Sequence, residues 1–212
     1  MSSGVATPGS AGAEAVPTGN TFDKYGSTNP VVRRLMAGFH EALDELWTRA
    51  EPRSILDVGC GEGVLTQEWA ERLGERRVVG IDLDDDKLRA EWARRLRPNL
   101  EYRCQEATRL DFVDDEFDMA AAIEVLEHVP EPEATVAEMA RVAERSLLVS
   151  VPREPLWRGV NMARGAYWGS LGNTPGHVNH WSKRSFLELM SRHGKVEEVR
   201  CPFPWTMVLV RL

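Results

Sequence analysis

Residues 54–63 read Ser54-Ile55-Leu56-Asp57-Val58-Gly59-Cys60-Gly61-Glu62-Gly63. The run 54–58 is short, apolar and stopped by glycine, the pattern of a buried strand. Gly63–Leu73 follows as a helix with Leu65, Trp69 and Leu73 on one side. Between them, three alternating glycines allow a tight turn and the approach of a ligand to backbone unshielded by Cβ atoms. The free N–H groups and dipole of the next helix suit an anionic group. A second strand, Arg77–Asp82, ends in an acid 19 residues after Gly63, within the range for a carboxylate that holds ribose hydroxyls.

Outward from this unit, strands alternate with helices. A helix starts near Asp84, with Asp84, Asp85 and Asp86 at its dipole-favoured end and Leu88, Trp92 and Leu96 as its apolar stripe. Leu100–Cys104 and Phe117–Ile123 are the third and fourth strands. Pro132–Ala143 is a helix, and Ser146–Val151 the fifth strand. Such alternation makes a parallel sheet with right-handed crossovers. After a helix at Ser185–His193, the strands Lys195–Cys201 and Trp205–Leu212 are separated only by Pro202, Phe203 and Pro204. That link is too short for a parallel crossover, so the two strands pair antiparallel. Upstream, Asn29 and Pro30 read as the cap and first turn of a helix carrying Val32, Leu35, Met36, Phe39, Leu43 and Leu46. Residues 1–20 are rich in Ser, Ala, Gly, Pro and Thr and are expected to be a disordered tail, leaving 21–212 as a single domain. Residues 153–181 form a long connection holding Trp157, Tyr167, Trp168 and Trp181. Because it follows a strand's C-terminal end, it reads as a substrate lid; the alternative is an insertion that packs its aromatics onto the core.

The 212 residues are 42% hydrophobic and 28% charged, with a formal net charge of −7, which suits a globular domain. The acidic balance argues against nucleic acid as the main partner, and Arg94, Arg95 and Arg97 read first as a solvated helix face. Cys60, Cys104 and Cys201 match no zinc spacing and include no C-x-x-C, so they read as reduced thiols in a cytoplasmic protein. The N-terminal stretch lacks the pattern of a signal peptide, and no apolar run spans a bilayer, so no membrane partner is expected. Association into a homo-oligomer is left open by the sequence.

The glycines at 59, 61 and 63, with Asp57 ahead of them, depart from the dinucleotide pattern G-x-G-x-x-G, whose third glycine is replaced here by Val64. The stretch resembles the first motif of the class I S-adenosylmethionine-dependent methyltransferases, D/E-x-G-x-G-x-G. The resemblance runs from Ser54 to about Val142 and returns in the C-terminal strand pair. It implies a Rossmann-like α/β three-layer sandwich whose seven-stranded, mostly parallel sheet has the order 3-2-1-4-5-7-6 and an antiparallel C-terminal strand. It also implies S-adenosylmethionine as cofactor. Asp57 would orient the methionine ammonium; Gly59, Cys60, Gly61 and Gly63 would line the amino-acid end; Asp82 would take the ribose hydroxyls, and Leu83 would pack on adenine. Gln105-Glu106-Ala107 stands where the family often has G-D-A, so Glu106 would meet the adenine amino group with a longer arm, beside Ala107.

Ile123-Glu124-Val125-Leu126-Glu127-His128-Val129-Pro130 resembles the L-E-H-V signature of a methyltransferase subgroup. It is similar to ubiquinone-pathway catechol O-methyltransferases and to small-RNA ribose 2′-O-methyltransferases. The resemblance implies magnesium held by Glu124, Glu127 and His128, with His177 of His177-Val-Asn-His-Trp181 as the fourth ligand and His180 as runner-up; Glu124 would also sit beside the cofactor. Hard carboxylate oxygens suit Mg²⁺, which keeps positions open for substrate oxygens and lowers a hydroxyl's pKa. Two alternatives remain: His128 as a metal-free base, or a structural role. His128, His177 and His180 are the catalytic candidates, and Tyr25, Trp157, Tyr167, Trp168 and Trp181 the acceptor-side candidates. The expected reaction is O-methylation of a small catechol, phenol or vicinal diol. N- or C-methylation and a non-catalytic S-adenosylmethionine-binding subunit are the rivals, and the glycine spacing disfavours a dinucleotide oxidoreductase.

Overall fold

A computed structural model describes residues 29–163, 173–174 and 176–212. The expected tail 1–20 and the acceptor-side candidates Tyr25, Tyr167 and Trp168 lie outside the described residues. The elements are α1 (Pro30–Ala50), β1 (Ile55–Val58), α2 (Val64–Leu73), β2 (Val78–Asp82), α3 (Asp86–Trp92), β3 (Leu100–Cys104), β4 (Phe117–Ile123), α4 (Pro132–Val142), β5 (Ala143–Pro152), α5 (Leu156–Ala163), α6 (Lys183–Met190), β6 (Lys195–Arg200) and β7 (Trp205–Arg211). They build one seven-stranded sheet in the order β3-β2-β1-β4-β5-β7-β6. β1 to β5 pair in parallel, and β7 runs antiparallel to both β5 and β6. The fold is thus the one the glycine motif implies.

Helices cover both faces of the sheet, so the central strands are apolar on both sides. On β4, Met119 and Ala121 join the cluster under α1, which contributes Phe39, Leu43, Leu46 and Trp47. Ala120 and Ala122 point the other way, towards Val136 and Met139 of α4 and Phe186 and Met190 of α6. This two-residue alternation fixes the register, because a one-residue slip would exchange the two cores. Asn29 accepts a hydrogen bond from Val31 N at 2.9 Å with Pro30 opening α1, as its sequence requires. Asp85 caps α3 through Lys87 N and Leu88 N.

Two expectations change. α3 ends at Trp92, and Leu96 is 73% exposed rather than part of an apolar stripe. The connection 153–181 carries the short helix α5, and Trp181 packs against the core beside Phe186, with 6.1 Å between ring centroids. Trp181 therefore follows the insertion alternative rather than the acceptor-side assignment.

Candidate active site

A cavity of about 490 Å³ opens at the C-terminal ends of β1, β2 and β4. The glycine loop forms one wall. Gly59 N and Cys60 N both donate to Ile81 O, at 2.8 and 2.9 Å, which ties the loop to the end of β2. Asp82 closes it from the same strand: its Oδ2 accepts from Gly61 N at 2.7 Å and its Oδ1 from Leu83 N at 2.8 Å. Burial holds the Asp82 carboxyl above its usual range against these two bonds, and the charge of Asp85 adds to the rise. Cys60, Leu83, Glu106 and Ala107 line the same cavity. The Cys60 thiol is pushed well up by burial and by the charges of Asp57 and Asp82.

The glycine loop is braced by Trp92, an apolar-stripe position of α3, and by Tyr102 of β3. Trp92 Nε1 donates to Gly61 O at 2.7 Å, and Tyr102 Oη donates to Gly63 O at 3.1 Å. The Trp92 and Tyr102 rings stack, 5.2 Å apart and 4° from parallel. Gly63 has φ +77°, and a Cβ there would sit 2.4 Å from Tyr102 Oη. Gly63→Ala is expected to cost about 2–5 kcal/mol, from left-handed strain of about 1–2 kcal/mol and overpacking of about 1–3 kcal/mol. Urea unfolding of a double-mutant cycle with Tyr102→Ala checks this: the Gly63→Ala cost should fall towards the strain alone once the ring is gone.

Asp57 is buried at the loop's base, where its Oδ2 accepts from Thr66 Oγ1 at 2.6 Å. Burial pushes its carboxyl from the ordinary 3.8 up to about 7, opposed by the Thr66 bond and reinforced by the charge of Asp82. A raised carboxyl favours the protonated fold. The stability Asp57 contributes is therefore complete below pH 3.8 and is lost as pH rises through about 7. Denaturant unfolding of the wild type and Asp57→Asn at pH 4.5, 6 and 8 should show the difference between them drifting against the wild type across that window; a pH-independent difference would contradict it.

The second wall comes from the turn after β4. Glu124 adopts φ +61°, a conformation that costs a non-glycine residue about 1–3 kcal/mol. Its Oε2 accepts from Trp205 Nε1 at 2.7 Å, and its Oε1 from Ser150 Oγ at 3.2 Å. Glu127, His128 and His177 place ligand atoms within 4.8 Å of one another, while Glu124 is not a member of this group. The four-residue set read from the sequence is corrected to three, because Glu124 turns to β5 and β7 instead. The His128 and His177 rings meet edge to face, 4.9 Å apart, and Trp157 stacks beside His177. His128 Nδ1 lies 3.0 Å from Gly176 O.

The segment that brings His177 is fastened to this turn. Val178 N and Asn179 N donate to Glu127 O, and Asn179 Nδ2 donates to Leu126 O and Val129 O. With Asn179 pinned inward, His180 is exposed, its Nε2 2.9 Å from an Arg158 nitrogen and its Nδ1 3.8 Å from Glu154. It does not line the cavity, nor do Trp157 and Trp181. The apolar wall is formed instead by Met36 and Phe39 of α1 and Trp205 of β7. None of these carried a local sequence signal beyond its place in an apolar stripe.

A family model described as a methyltransferase domain matches residues 56–146. Over 160 residues the chain is 32% identical to a ubiquinone biosynthesis O-methyltransferase of Methylococcus capsulatus, covering 67% of this chain and 66% of that protein. One from Alkalilimnicola ehrlichii is 36% identical over 160 residues, covering 68% and 64%. The chain thus spans just under two thirds of the length of these relatives. Among solved structures, a magnesium protoporphyrin IX methyltransferase from Synechocystis with bound SAH superposes with a TM-score of 0.63 at 17% identity, over 88% of this chain and 89% of that one. The [4+2]-cyclase SpnF superposes at 0.61 and 17% identity, over 90% and 84%. At such identity these structures speak for the fold, and they carry differently named activities on it.

Proposed function

Because the chain belongs to the class I S-adenosylmethionine-dependent methyltransferases, we propose that it moves the sulfonium methyl group of S-adenosylmethionine to an oxygen of a small catechol, phenol or vicinal diol. The observation that carries this reading is His128. It lines the same cavity as the glycine loop and Asp82, and its Nδ1 faces a carbonyl that can only accept. Neutral His128 therefore carries its proton on Nδ1, which makes Nε2 the basic nitrogen of the ring. S-adenosylmethionine would supply the methyl group and keep the C–S electron pair on its departing thioether sulfur, and His128 Nε2 would take the proton that the acceptor hydroxyl loses as its oxygen is methylated. Asp82 would hold the ribose and Asp57 the ammonium.

A metal-assisted version draws on the group Glu127, His128 and His177. One carboxylate and two imidazoles fit a divalent ion; imidazole suits zinc, iron, copper or nickel, whereas magnesium and manganese favour oxygen. Such an ion would lower the acceptor hydroxyl's pKa and orient it. In the metal-free version His128 alone takes the proton.

Incubation with methyl-labelled S-adenosylmethionine and catechol, phenol or cis-diol acceptors, with EDTA or added Mn²⁺ or Mg²⁺, tests the reading. Label on an acceptor oxygen is expected. Label that goes only to amines or carbon acceptors would overturn O-methylation, and turnover unaffected by EDTA would remove the metal.

A further inference from the structure

Resting on the reading of this cavity as the donor and acceptor site, we infer that it selects acceptors by charge: it takes uncharged or protonated-amine acceptors and turns away those carrying a carboxylate or phosphate. Six carboxylate residues line the cavity, Asp57, Glu62, Asp82, Glu106, Glu124 and Glu131, and no lysine or arginine does so among the described residues. Glu62, Glu106 and Glu131 are exposed, which puts one sign of charge where ligands enter. S-adenosylmethionine brings a sulfonium, an ammonium and a carboxylate, so its net single positive charge leaves most of these carboxylates uncompensated. The whole chain, at −7, has the same sign.

A cavity walled by low-dielectric protein focuses the field of like charges and changes the local concentration of charged ligands by about tenfold or more. Met36, Phe39 and Trp205 make an apolar wall of the cavity, and the polar side chains Gln105, Thr108 and His128 also line it, with no fixed cation among the described residues. An acceptor carboxylate would have to shed water beside Glu131 and Glu124 with no cation to receive it. Glu131 is the residue that sets this sign without holding the fold. It stands at the N-cap position of α4 but makes no side-chain cap hydrogen bond, and it lies three residues beyond His128 at the acceptor end.

Two measurements test the selection. In Val129→Cys, which places a thiol in the cavity wall beside His128, methanethiosulfonates bearing a trimethylammonium or a sulfonate group are compared by peptide mass spectrometry, each rate divided by that with a free thiol. The cationic reagent should react about tenfold faster, with the ratio falling in 0.5 M salt and on adding Glu131→Gln. Equal rates, or faster reaction of the anion, would overturn the inference. In the second, KM values for 4-methylcatechol, 4-(2-aminoethyl)catechol and 3,4-dihydroxybenzoate should rise in the order amine, neutral, carboxylate, with Glu131→Gln narrowing the spread. A carboxylate KM at or below the neutral one overturns charge selection. Failure of all three as methyl acceptors, with the thiol preference intact, counts instead against the catechol reading and leaves charge selection standing.

Discussion

His128→Asn should lower kcat for methyl transfer by about 10²–10⁴-fold, the range for removing a positioned base, while the affinity for S-adenosylhomocysteine changes little. The residual activity should climb with pH, because an acceptor that arrives as its oxyanion no longer needs Nε2 to take its proton. A residue that merely shaped the turn would depress the rate equally at all pH values. The neighbours then separate the two versions of the mechanism. If a metal operates, Glu127→Gln and His177→Ala should lose activity to a similar degree, since all three offer ligand atoms within 4.8 Å of one another. If His128 works alone, those two variants should keep most of the rate. A wild-type rate in His128→Asn would remove the residue from the chemistry.

Asp82→Ala should weaken S-adenosylhomocysteine binding by about 10–10²-fold. The carboxylate organises the site before any ligand arrives, because it accepts from Gly61 N and Leu83 N. Two hydrogen bonds to a charged group are worth about 1.5–3 kcal/mol each, so losing half their combined value to an unanchored loop already accounts for the predicted weakening. The effect on the stability of the ligand-free chain should be smaller, because removing Asp82 also relieves its repulsion of the buried Asp57. Calorimetric titration beside urea unfolding separates the two quantities. Affinity within fivefold of wild type would show that the loop holds its shape without the acid.

Local patterns carried much of this architecture. The strand, glycine and helix signals near 54–63 and the acid at 82 are short-range, and each fell where its chemistry required. Asn29 capped its helix for the same reason. What escaped the sequence was contact across distance. Nothing near Glu124 announces that Trp205, 81 residues later, will take its carboxylate, so the resemblance alone put Glu124 in a four-residue metal set. Trp92 and Tyr102 read as an apolar helix position and a strand residue, whereas their polar atoms secure the glycine loop. The resemblance ranks His177 ahead of His180, and Asn179, bonded to two carbonyls of the turn after β4, leaves His180 outside the cavity. Leu96 shows the opposite failure: a helical period continued on paper beyond the residue at which the helix stops.

The bond between Trp205 and Glu124 also bears on how such an enzyme can be altered. The stretch by which the chain is recognised, 56–146, contains the glycine loop, Asp82 and His128, but not Phe39, His177, Asn179 or Trp205. On the proposed reading, the residues that would hold the methyl donor come from one contiguous block, while the cavity's apolar wall is completed from both flanks by Met36, Phe39 and Trp205. Grafting that block onto foreign ends would transplant methyl-donor recognition and leave behind the surfaces that decide what is methylated. New acceptor preferences can thus be acquired by exchanging flanks, provided the incoming C-terminal hairpin still supplies a hydrogen-bond donor for the strained glutamate.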